Sequence, residues 1–232
     1  MYQTRKELEK TFQTAAAFYK LELAGRTLLC RSLAEIRRKG AVAERADALF
    51  VLLNPGQCLP SDAESEIPVL DGLAAELPLV KAEPDNTLRQ LMRLMERMNW
   101  NYVKVINLTD IVSGKFREFW KTQEFIELHD ESRHSLFNME RHFELQRHVQ
   151  MSEKVVVGWG INPKIRGGAE EAYLCLLLFW QKEPYGIPHE IYPSFYHPFP
   201  WMRSKCIKWL DDMEQQLKLP VKESSVHIAV LH

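Results

Sequence analysis

Clustered cysteines are missing from this sequence, and with them the chemistries that need them. Its four cysteines, Cys30, Cys58, Cys175 and Cys206, lie far apart and form no CxxC pair. Thiolate zinc sites and iron–sulfur clusters require neighbouring cysteines, so neither is expected; no other metal or cofactor is expected either. Nor does any hydrophobic stretch approach the ~20 residues of a membrane span. The longest, Ala172 to Trp180, reads as a buried helix. The opening residues Met1-Tyr2-Gln3-Thr4-Arg5-Lys6-Glu7 run into charged, helix-like sequence rather than an apolar secretory core. Reduced thiols in a cytoplasmic protein are the consistent expectation. A basic excess is also absent, since 30 Lys and Arg stand against 31 Asp and Glu. Nucleic-acid binders usually carry net positive charge, so any phosphate-binding surface has to be a local patch. There are no internal repeats and no low-complexity segments.

What is present is the balance of a globular protein, 46% hydrophobic and 26% charged, enough at this length for one full core. Three largely apolar runs stop abruptly at turn or polar residues. They are Ala48 to Leu53 before Asn54-Pro55-Gly56, Tyr102 to Ile106 before Asn107, and Lys154 to Val157 before Gly158-Trp159-Gly160. Such runs suit strands buried on both faces. A weaker fourth, His189 to Tyr192, leads through Pro193 to His197-Pro198-Phe199-Pro200. Helices are expected between them. Asp85 can cap one with Leu88, Leu91, Met92, Met95 and Met98 on a single face. Residues 166–181 form another, and residues 201–217 a last one with Met202, Cys206, Trp209, Leu210, Met213 and Leu217 as its stripe.

Residues 3–38 read as mainly helical with a break at Gly25, so 1–46 is expected to be a helical segment packed on the domain. The domain itself spans 47–220, with a long loop from Pro60 to Pro84 and a charged helical insertion at 113–150; 221–232 is a peripheral tail. Strands alternating with helices predict a three-layer α/β/α fold around a central, mostly parallel four-stranded sheet. In such sheets ligands bind beyond the carboxyl ends of the strands.

Polar residues fall at those ends. Each has an ordinary explanation alone: Asn-Pro-Gly is a turn signal, and an asparagine at a strand end can cap a helix. Their order resembles the uracil-DNA glycosylase superfamily. Asn54-Pro55-Gly56 is similar to its first motif, G-x-N-P-G, nearest to the single-strand-selective and mismatch-specific branches. His197-Pro198-Phe199-Pro200 resembles its second, H-P-S-P, and Val155 to Gly160 resembles the strand between them. Asn107 falls where the superfamily often keeps a base-reading asparagine. The likeness covers about residues 47–217. The chain also resembles a bacterial and phage family of unassigned function with similar strand-end pairs. Leu52 stands in place of the motif's glycine and Phe199 in place of the serine that would contact a phosphate. No aromatic follows Gly56, so Phe116, Phe119 and Trp120 are candidates either to stack an extruded base or to fill core.

The resemblance implies a monofunctional DNA glycosylase that hydrolyses the N-glycosidic bond of a damaged or modified base flipped out of DNA. Its setting would be repair or defence against modified phage DNA. Asn54 would hold the attacking water, and His197 would donate to the base oxygen as negative charge grows. Gly56, Gln57 and Asn107 would contact the base, the Asn107 amide offering both donor and acceptor. Asp62 is either a second water-positioning group or a solvated loop carboxylate. Trp201 shares a predicted helix face with Lys205 and Lys208, and it either enters the gap left by the base or packs on its loop. Lys164 and Arg166 open a helix and suit phosphate at its N-terminus. The partner would be single- or double-stranded DNA, and a monomer is expected. Two other classes remain, a hydrolase of free nucleosides or nucleotides and a non-catalytic nucleic-acid- or protein-binding module. A dinucleotide fingerprint starting at Gly158 fails at Pro163, and His129, His134, His142 and His148 form no ligand motif.

Overall fold

The computed structural model of the chain describes residues 2–62, 65–70 and 77–220. Helix α1 (Arg5–Thr11) leads into a long hairpin of β1 (Phe12–Leu23) and β2 (Arg26–Arg38). Only α1 remains of the helical segment expected over 3–38. Ala, Leu, Lys and Glu give both strands the composition of a helix, and cross-strand packing overrides that preference. The break at Gly25 is the hairpin turn. Ala24 and Gly25 both have positive φ, 45° and 77°, as a two-residue turn matched to strand twist requires. Pairing skips once: Ala17 opposes Leu33 and Phe18 opposes Arg31, so Ser32 is the extra residue of a β-bulge.

After the hairpin come β3 (Ala48–Leu52), β4 (Leu59–Pro60), β5 (Leu79–Glu83), α2 (Asn86–Met98), β6 (Tyr102–Asn107), α3 (Phe116–Glu127), α4 (His142–Gln150), β7 (Val155–Val157), α5 (Arg166–Trp180) and α6 (Arg203–Leu217). The sheet order is β4-β5-β1-β2-β6-β3-β7. β3 pairs in parallel with β6 and β7, and the other four pairings are antiparallel. The expected four-stranded parallel sheet is therefore the smaller part of a seven-stranded mixed one, extended because β2 docks along β6 with Ile36 opposite Val103. His189 to Tyr192 forms no strand. Pro184, Pro188 and Pro193 withhold ladder donors along this stretch, and beside β7 only Tyr185 makes a parallel bridge, to Val156. The tail at 221–232 lies outside the described residues.

β3 shows how the layers form. Phe50 and Leu52 pack with Leu91 and Met95 of α2 and Trp209 and Met213 of α6. Leu49 and Val51 face the other way, toward Leu145 of α4 and Leu176 of α5. Helices on both faces leave the carboxyl ends of β3, β6 and β7 as the open edge. Asp85 caps α2 as predicted, accepting from Leu88 N at 2.9 Å. Residues 113–150 hold α3 and α4 with non-helical chain at 128–138 between them, and a buried network ties them to the hairpin. Arg141 Nη1 lies 2.6 Å from Asp110 Oδ2, and Tyr19 OH donates to the same oxygen at 2.9 Å. Burial pushes the Asp110 carboxyl up to about 6, against the pull of Arg141. His134, 2.8 Å from Thr109 Oγ1, is pushed down to about 4 by its burial. Among the described residues no helix is long and apolar enough to cross a membrane.

Candidate active site

The open edge holds a cavity of about 400 Å³, a size typical of small-molecule sites (roughly 300–1,000 Å³). Asn54, Gly56, Gln57, His197 and Trp201 of the predicted set all line it. Parallel pairing continues past β3, with Leu108 and Thr109 N–H donating to the Leu52 and Leu53 carbonyls. Asn54 is the residue where the chain turns away. Its Nδ2 donates to Ser113 O at 2.7 Å, which fixes the amide and leaves Oδ1 as a free acceptor among the described residues. Gly56 has φ +63°, and a Cβ there would overlap Asp85 Oδ2, so the turn requires glycine. Asp85 Oδ2 in turn accepts from Gln57 N at 3.3 Å.

His197 arrives from the opposite side. The buried Trp159 ring donates Nε1–H to Pro193 O at 2.8 Å and meets Phe195 edge to face. Gly158 leaves room for Pro198, whose Cδ would stand 3.1 Å from any Cβ at that position. Phe199 N–H donates to His197 Nδ1 at 3.2 Å. In the neutral ring the proton therefore sits on Nε2, making that atom a donor. Burial holds the His197 pKa below its ordinary value, against the attraction of the Asp85 carboxylate. The side chain is a neutral donor aimed from a fixed ring.

The walls are aromatic. Phe116, Phe119 and Phe199 line the cavity, while Trp120 stands behind, edge-on to Phe116 and Phe119 at 5.9 and 5.0 Å. Trp201 is 100% exposed at the rim. It precedes α6, whose N-cap is Met202, instead of riding on the helix as predicted.

Other predicted residues lie elsewhere. Asn107 is wholly buried and does not line the cavity, because Arg31 stands between them. Arg31 donates from Nη2 to Asn107 Oδ1 at 2.9 Å and from Nη1 to Pro55 O at 3.2 Å. Lys164, Arg166 and Lys208 are outside the cavity and paired with Glu124 at 3.6 Å, Glu170 at 2.8 Å and Asp212 at 2.8 Å. Lys205 is exposed and carries no ion pair among the described residues. Asp62 is exposed and off the cavity wall. The carboxylate that does line it is Asp85, read from sequence only as a helix cap. Arg31 lies inside the segment expected to be helical, and no local pattern in the sequence marks it as a cavity residue. No group of three His, Cys, Asp or Glu among the described residues is arranged to hold a metal ion.

Fold and site define an α/β protein with a polar-floored, aromatic-walled cavity at the carboxyl ends of three parallel strands. The chain belongs to the family described as "Protein of unknown function (DUF1643)", whose model matches residues 79–198, just over half of it. No curated protein and no solved structure matches. The matched segment contains Asp85 and His197 but ends short of Trp201 and begins after Arg31 and Asn54.

Proposed function

We propose that this cavity hydrolyses the N-glycosidic bond of a nucleobase extruded from DNA, in the manner of the uracil-DNA glycosylase superfamily. The observation that carries the reading is the pairing of two fixed groups in one cavity. The Asn54 amide is tied by Ser113 so that Oδ1 accepts, and the His197 ring is tied by Phe199 so that Nε2 donates. A base stacked against Phe116 or Phe199 would lose its bond to the sugar with the electron pair passing to the ring. Nε2–H of His197 would stabilise the charge arriving on the base oxygen. Water held at Asn54 Oδ1 would add to the sugar C1′. An amide cannot take the water's proton, and Asp85, the acidic residue on the cavity wall, is its acceptor. The base then takes a proton from solvent and Asp85 releases the one it accepted, which completes the hydrolysis and restores the carboxylate.

Extrusion costs a few kcal/mol and leaves a gap, which Trp201, exposed at the rim, would fill. One observation favours a smaller substrate instead: Lys164, Arg166 and Lys208 are already neutralised by carboxylates. A panel of single- and double-stranded oligonucleotides, each with one damaged or modified base, scored for abasic sites beside free nucleosides, tests both. Abasic sites support the glycosylase. Release of base from free nucleosides alone would replace it with a nucleoside hydrolase, and no release from either would refute both.

A further inference from the structure

Among the described residues, Arg31 is the charged group in the cavity that the proposed reaction leaves unused. Its side chain is 1% exposed, it lines the cavity, and no carboxylate pairs with it among the described residues. Its partners are neutral: the Asn107 amide oxygen, the Pro55 carbonyl and the buried Cys58 thiol. Asp85, on the same cavity wall, is turned to the Leu88 and Gln57 N–H groups. A buried guanidinium without a counter-charge is costly. Arg31 Nε and Asn107 Nδ2 are buried without any acceptor among the described residues, a condition rare in folded proteins. The bulge at Ser32 falls next to Arg31 in β2, and bulges re-aim adjacent side chains beside functional sites.

We propose that Arg31, braced by Asn107 and the Pro55 carbonyl, receives an anionic oxygen of the ligand. The ligand supplies the counter-charge that the protein withholds. This rests on the proposed function for the class of ligand, a nucleobase or nucleotide, and not on bond cleavage. Two sources offer the same chemistry, an acidic substituent on the base and the phosphate of a free nucleotide. An uncharged base offers an acceptor but no counter-charge.

Calorimetric titration of the whole chain with 2′-deoxyuridine, its 5′-monophosphate and 5-carboxy-2′-deoxyuridine separates these cases. One anionic probe is expected to bind the wild type about ten- to a hundredfold more tightly than deoxyuridine, the range of a charge-assisted hydrogen bond. The monophosphate prevailing identifies a phosphate, and the carboxylated nucleoside an acidic base. The preference disappears in Arg31→Met and is weakened in Arg31→Lys, which keeps the charge and loses the fork. Should Arg31→Met fail to fold, Asn107→Asp places a carboxylate against the same guanidinium and is expected to abolish the preference from inside. Absence of any anion preference in the wild type, including absence of binding, overturns the proposal. So does a preference that survives Arg31→Met, or survives Asn107→Asp where Arg31→Met does not fold. Excision is scored separately. An Arg31-dependent preference without excision sinks the glycosylase reading and leaves this one; excision without the preference does the reverse.

Discussion

His197→Ala is the perturbation with the sharpest expected consequence. The ring is held by the Phe199 N–H at 3.2 Å and by Pro198 wedged against Gly158, so its Nε2–H is oriented before substrate arrives. Losing a preorganised donor to a developing oxyanion costs about 2.7–4 kcal/mol, or roughly 10²–10³ in rate. In the proposed reaction the bond strengthens only as the base leaves, so affinity for an uncleavable substrate should change by no more than a few-fold. His197→Gln restores an N–H on a different stem and is expected to recover part of the loss. Substitution also strips the Phe199 N–H of its acceptor, at a cost of about 1 kcal/mol of stability, which denaturant unfolding measures independently. Protonating Nδ1 would set two N–H groups against each other, and burial opposes it as well. The wild-type rate should therefore show no limb from this residue near pH 6.5, where an ordinary histidine titrates. Single-turnover excision between pH 6 and 8 is the assay. Rates for His197→Ala within about twofold of wild type would remove the residue from the chemistry.

Asn54→Ala should lower turnover by roughly 10² or more, and Asn54→Asp should introduce an acidic limb in the pH–rate profile, because a carboxylate titrates and an amide does not; full activity in Asn54→Ala would reduce the motif to a turn. Trp201→Ala should slow excision most in matched duplex and less in mismatched duplex and single strand, where less stacking must be broken; equal losses in all three would assign Trp201 to packing. His134 concerns stability. Its value of about 4 in the fold lies below the ordinary ~6.5, so its contribution is complete above pH 6.5 and is lost as pH falls toward 4, by up to about 3 kcal/mol. Asp110, raised to about 6, acts in the opposite sense over an overlapping window. The test is therefore the stability gap between wild type and His134→Gln, which should shrink on acidification; a gap constant from pH 7 to 4 would contradict it.

The parallel half of the sheet was legible because burial on both faces demands unbroken apolar runs, and Ala48–Leu52, Tyr102–Asn107 and Val155–Val157 supply them. α2 announced itself through Asp85 and its apolar face, and α6 through the stripe from Cys206 to Leu217. The hairpin was not legible. Its alanines and leucines carry no strand preference; β1 and β2 pair with each other, and β5 and β6, tens of residues away, pair along their outer edges. The same long-range pairing brings Arg31 to the cavity floor, where no local pattern could have put it. Asn54, Gly56 and Gln57 line the cavity because it opens where β3 ends, whereas His197 reaches the same cavity from a stretch that forms no strand. Asn107 likewise stands at a strand end but is capped by that arginine, and the two cannot both face the ligand.

The position of β3 in the sheet limits how this protein can be divided. The family-matched segment, 79–198, contains β6 and β7 but not β3, which lies between them. Cut out and expressed by itself, the segment would have a vacant central lane, with main-chain donors and acceptors open on the inner edges of both neighbours. It would also carry His197 without Asn54. The stretch by which the family is recognised is thus neither a folding unit nor a transplantable module, and grafting this site onto another scaffold means moving the strand at 48–52 with it.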